Sequence, residues 1–170
     1  LSLVYMSNIK FNATPFSSNF KSRVVKAAEW LKVLTDEVSG KFPNIGANDG
    51  AKIIQLDDED YRSSRASVQL SYALYKDKLA YDIENLDSVF YWLNINRPKK
   101  LEPNITSRLF SDGGFAVLRT TESMAVLKFP RDKFRPSQCD ALHLDFWNKG
   151  RNIFRDAGSY SYIDNEYFNS

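Results

Sequence analysis

The sequence carries one cysteine and one histidine in 170 residues. A single cysteine excludes an internal disulfide framework, and one cysteine with one histidine excludes a self-contained zinc site of the usual four-ligand kind. Cys139 therefore reads as a small buried residue rather than a reactive thiol. An excess of one charge is also lacking: 23 Lys and Arg against 21 Asp and Glu leave a formal net charge of +2. That balance offers no basic field for nucleic acid or an anionic membrane. No apolar run approaches the roughly 20 residues of a membrane span, and no charged-then-apolar leader precedes the first expected helix. The chain opens at Leu1 without an initiator Met and closes at Ser170 in mid-pattern. A piece of a longer protein is the expectation, and location does not follow from either end.

What is present is a globular composition, 43% hydrophobic and 26% charged, long enough for one ordinary domain or two small ones. Aromatic residues reach 14%, with nine Tyr and twelve Phe; such side chains fill cores and also stack on sugars. Phe20, Val24, Ala27, Leu31, Leu34 and Val38 fall at the alternating four-three spacing of one helix face. Ser17 or Ser18 can cap its start, and Gly40 followed by Pro43 can end it. Further helices are expected over Ala66 to Tyr75 and Asn85 to Leu93. The intervening "PNIGANDGAKIIQLDDEDYR" has the Gly, Asn and Asp content of a loop.

From about residue 94 to 106 the pattern is that of a linker or crossover, with two prolines and no apolar period. Beyond it the period is close to two. Phe115 and Val117 alternate with Ala116 and Leu118, and Met124 and Val126 with Ala125 and Leu127, around a turn at "TTES". Asp140, Leu142, Leu144 and Phe146 form one face of the next strand; Ala141, His143, Asp145 and Trp147 form the other. Helices followed by antiparallel strands predict an α+β fold.

With Lys149 and Gly150 as a two-residue turn, Asn148 pairs with Arg151 and Trp147 with Asn152. A regular register then sets Asp145 opposite Phe154 and His143 opposite Asp156. Such a His–Asp contact suits proton transfer or a metal ligand, which makes His143 the candidate catalytic residue. On the hairpin alone the plainer reading, a satisfied polar pair on a half-buried sheet face, is favoured, because base catalysis needs partners that this span does not identify.

The stretch "QCDALHLDFWNKGRNIFRDAGSYSY" resembles the β-domain signature of the heparinase II/III family of polysaccharide lyases, in which H-G-H-A-D-A-L leads through a hairpin to D-x-G-x-Y-x-Y. "PNIGANDGA" with "DYRSSRASVQL" is similar to the end of that family's helical domain, and "DGGFAVLRTTESMAVLKF" looks like the first strands of its β-domain. The resemblance implies the last helices of an (α/α) toroid over residues 1–97 and the first antiparallel strands of a β-sandwich over residues 98–170. It implies β-elimination on a uronate-containing polymer: a base removes the proton α to the carboxylate and an acid protonates the leaving oxygen. The family's catalytic Tyr, with the Asn or His that neutralises the uronate, would lie before Leu1, and a further metal-ligating His after Ser170. The fragment alone is therefore expected to be inactive.

By the same resemblance the catalytic His of H-G-H falls at Pro136, which cannot do that chemistry. The zinc-ligating His falls at Gln138, and the metal-binding Asp at Asp156. Zinc is thus a cofactor of the parent only if a neutral amide replaces imidazole. Either a bulge at "SQCD" brings Gln138 to Asp156, or His143 has become the partner of Asp156 without metal. Asn44, Asn48, Asp49 and Arg62 match polar positions that would border a substrate cleft, although Asn-Asp-Gly is also ordinary turn chemistry and "DYR" a local ion pair. The implied partner is an acidic polysaccharide or oligosaccharide, the implied setting periplasmic or envelope-associated, with oligomerisation through exposed toroid faces a further expectation. A non-catalytic carbohydrate-binding or structural relative is the alternative.

Overall fold

The computed structural model of the protein describes residues 16–46, 55–129 and 141–156. Helix α1 runs Ser18–Leu34. Ser17 caps its start, its hydroxyl oxygen accepting from the Phe20 amide at 3.2 Å, which satisfies one of the otherwise unpaired first-turn donors. The helix ends well before Gly40, because Asp36 diverts the chain into a tight turn. The Asp36 carboxylate accepts from the Ser39 amide and hydroxyl, each at 2.7 Å, and the Gly40 amide donates to the Asp36 carbonyl at 2.9 Å. A short acceptor side chain that captures nearby backbone donors in this way competes with helix continuation. Val38, expected on the helical stripe, is accordingly 62% exposed. Gly40 is required for two reasons. It has φ +73°, and a Cβ there would lie 2.8 Å from Arg65 Nε and Ser63 Oγ.

Helix α2 spans Arg65–Lys76, and a 3₁₀ turn at Glu84–Asp87 runs into the short helix α3, Ser88–Leu93. Between α2 and this turn the chain is held by Gln69, which is fully buried. Its Nε2 donates to the Tyr81 carbonyl at 3.0 Å, and its Oε1 accepts from the Ala80 and Tyr81 amides at 2.8 and 3.0 Å. Ala28, Val68, Leu70, Tyr72, Leu86, Val89, Phe90 and Leu93 form the helical core. The expected linker has no regular structure but is pinned. Leu79 donates to the Lys100 carbonyl at 2.7 Å and accepts from the Glu102 amide at 2.8 Å. Glu102 also pairs with Lys76 and Lys78, each at 2.8 Å.

Five strands then form one antiparallel sheet in the order β1-β2-β3-β4-β5. They are β1 Arg108–Phe110, β2 Phe115–Arg119, β3 Ser123–Lys128, β4 Leu144–Asn148 and β5 Arg151–Phe154. The α+β expectation holds. The alternation also holds: Phe115, Val117, Met124, Val126 and Trp147 face inward and are buried with Val33 and Leu34 of α1. Lys149 and Gly150 both have positive φ, 48° and 78°, as a two-residue turn matched to strand twist demands.

Helix α1 serves both cores. Ala28 faces the other helices, whereas Val33 and Leu34, with Trp30 packed alongside, face the sheet. Arg119 of β2 locks this junction, its Nη1 donating to the carbonyls of Val33 at 2.6 Å and Thr35 at 3.0 Å. Those carbonyls stand at the helix C-terminus, where intrahelical donors run out.

Candidate functional site

The hairpin β4-β5 begins in the expected register, with Asn148 opposite Arg151 and Trp147 opposite Asn152, and then departs from it. A β-bulge between Phe146 and Trp147 makes Phe154 the partner of Phe146, leaving Ile153 as the extra residue of β5. Asp145 is therefore not opposite Phe154, nor is His143 opposite Asp156. The physical reason lies in the two faces of the sheet. A regular register would press Phe154 into the inner face beside Asp145. The bulge instead moves its ring to the outer face, where it packs on Phe146 at 6.0 Å, because one inserted residue reverses every side chain beyond it.

Two separate polar groups result. In the first, Asp156 lies beside Asn44, whose Nδ2 donates to its Oδ1 at 3.4 Å. Asn44 is aimed by the loop after the Lys41–Ser63 bridge, since Phe42 and Ile45 on either side pack on the sheet-facing core and the Phe42 ring meets Trp30 edge-on at 6.2 Å. Two candidate residues from distant parts of the sequence are thus brought together.

The second group surrounds Asp145, which is fully buried on the inner face. His143 Nε2 lies 3.8 Å from Asp145 Oδ2, beyond hydrogen-bond length, and Asn152 Nδ2 donates to the same oxygen at 3.4 Å. Burial pushes the Asp145 carboxyl up, opposed by Asn152, by the nearby Trp147 indole and by His143. Burial outweighs these counter-effects. Four buried atoms here, His143 Nε2, Asp145 Oδ1, Trp147 Nε1 and Asn152 Oδ1, have no hydrogen-bond partner in the protein. Nothing in the sequence marked Asp145 and Asn152 as special. The available signal is that Asp145 shares one strand face with His143 and Trp147, and that Trp147 pairs with Asn152.

Arg62 belongs to a third group. Its guanidinium holds Asp60 through Nε and Nη2, each at 3.3 Å, and Lys41 approaches the same carboxylate at 3.2 Å. These contacts hold the Asp60 carboxyl well below the usual carboxylate range, in an exposed setting where such pairs contribute little to stability. Asn48, Asp49, Pro136, Gln138 and Cys139 lie outside the described residues.

Among the described residues no group of three or more His, Cys, Asp and Glu side chains could hold a metal. Asp156 with the neutral amide of Gln138 is a poor donor set for zinc, and Asp156 already accepts from the Asn44 amide. No described helix is long and apolar enough to cross a membrane.

No protein-family model matches the sequence, and no curated protein matches it either. Among solved structures, the chain is similar to a mutant of the heparan sulfate lyase HepC from Pedobacter heparinus, with a TM-score of 0.59 and 22% identity over 96% of this chain. The matched region is 24% of that structure's chain, so the present chain spans about a quarter of its length. The likeness establishes a common fold.

Proposed function

We propose that the chain is part of a polysaccharide lyase of the heparinase II/III type, acting by β-elimination on a uronate-containing polymer in or near the cell envelope. The observation that carries this reading is the fold likeness to a heparan sulfate lyase across nearly the whole chain. The contact of Asn44 with Asp156 is consistent with it, because the resemblance sets one at the edge of the cleft and the other in the β-domain. In this reading residues 1–97 close a helical toroid and residues 98–170 open a β-sandwich. The exposed leucines and phenylalanine on the outer face of the sheet, Leu109, Leu118, Leu144 and Phe154, suit a layer that a second sheet covers. Asn44, and with it Asn48, Asp49 and Arg62, would border the cleft and contact the acidic polymer.

The reaction needs a base for the proton α to the carboxylate, donors for the developing enolate and an acid for the leaving oxygen. Pro136 supplies none of these where the family places its catalytic histidine, and His143 Nε2 is buried. These two facts favour a second reading, a carbohydrate-binding relative that retains the fold without turnover. The test is to offer the protein that carries this chain a panel of acidic polysaccharides and follow the ultraviolet absorbance of an unsaturated uronate product. Product formation is the expected result. Binding of the same polymers with no absorbance change overturns the lyase and leaves the binding protein.

A further inference from the structure

We propose that His143, Asp145, Trp147 and Asn152 enclose one ordered water on the inner face of the sheet, and that this hydrated bulge is what positions Asp156 at Asn44. The four atoms without a protein partner match the valence of a single water. Asp145 Oδ1 and Asn152 Oδ1 accept, the Trp147 indole N–H donates, and His143 Nε2 donates when it carries the ring proton. A water has two protons to give and two lone pairs to receive, and a buried one typically makes about three such bonds. A cation fits less well, because the indole N–H would point its proton at the ion. Left unmatched, so many polar atoms around a fully buried carboxylate would cost far more than a small domain tolerates.

The location gives the water a consequence beyond satisfying these groups. Asn152 sits opposite Trp147, immediately before the residue at which the register shifts, and its amide ties β5 to Asp145 of β4 at 3.4 Å. The polar cluster thus fixes which residue of β5 is left over. That choice sets the direction in which the chain leaves Phe154, and so the reach of Asp156 to Asn44 two residues later. Asn152 and Asp145 are in this sense positioning residues. This register is the same whether or not the polymer is cleaved.

The experiment is nuclear magnetic resonance on the 170-residue chain, observing transfer from water to the Trp147 indole proton and the side-chain amide signal of Asn44. A long-lived water in contact with the indole is expected; its absence overturns the proposal. So does a shift at His143 on adding zinc or calcium that displaces the water, which would assign the site to a cation. In Asn152→Leu the water contact is lost and the Asn44 amide signal moves, whereas Ile153→Val leaves both unchanged. Loss of the water with an unmoved Asn44 signal overturns the positioning role. Should Asn152→Leu fail to fold, the wild-type water contact still decides whether the water is there.

Discussion

Gln69 in the helical half and Asp145 in the sheet half are both fully buried polar side chains, yet their surroundings are opposite. Gln69 makes three hydrogen bonds to backbone atoms of Ala80 and Tyr81, so its amide replaces a missing turn of secondary structure. Asp145 has one long bond from Asn152 at 3.4 Å, a histidine beyond bonding distance at 3.8 Å, and unpartnered neighbours on several sides. The difference separates a polar group that completes the fold from one whose environment calls for something further. A buried residue of the first kind is explained by the contacts it makes. One of the second kind points to a ligand, here a water, and to a register that the apolar pattern alone would not choose.

The comparison can be broken most forcefully at its satisfied end. Gln69→Leu leaves the Ala80 and Tyr81 amides and the Tyr81 carbonyl buried without partners, and is expected to destabilise the protein by about 3 kcal/mol in chemical denaturation. An unchanged midpoint would mean that this loop does not depend on the side chain.

The unsatisfied end is expected to respond less, and in a pH-dependent way. Burial raises the Asp145 carboxyl above its ordinary value of 3.8. A raised acid contributes stability that is fully present below the unfolded value and is lost as pH rises through the folded one. Asp145→Asn removes that titration, so the variant should gain on wild type as pH is raised from acid towards neutral. Asp60 and Glu102, held low by Arg62 and by Lys76 and Lys78, titrate in the opposite sense but are common to both proteins. The difference in thermal midpoint therefore isolates Asp145, and a pH-independent difference would contradict its raised value.

The same contrast accounts for what could be read in the sequence. The start of α1 was legible at Ser17 because an N-cap is a local interaction. Its end was not, because the Asp36 carboxylate stops the helix through bonds to Ser39 that leave no periodic trace. Strands β2 and β3 followed from alternation, whereas the three residues of β1 are too few to alternate. The turn at Lys149 and Gly150 and the two pairs beside it follow from the sequence, whereas the register from Phe146 onward does not. Residue period reports which face a side chain occupies but does not count an inserted residue. For the candidate site, the sequence points to both Asn44 and Asp156 but not to their contact, which crosses 112 residues of chain and lies beyond the bulge. The same bulge gives His143 a different neighbour from the one that a regular register implies, Asp145 in place of Asp156.

The bulge therefore carries the account, since it both frees Asp156 to meet Asn44 and gathers the polar groups around Asp145. Cross-strand nuclear Overhauser contacts along β4 and β5 test it most directly. Contacts of Phe146 with Phe154 and of Trp147 with Asn152 are the predicted result. Contacts of Asp145 with Phe154 and of His143 with Asp156 would restore the regular hairpin and contradict it.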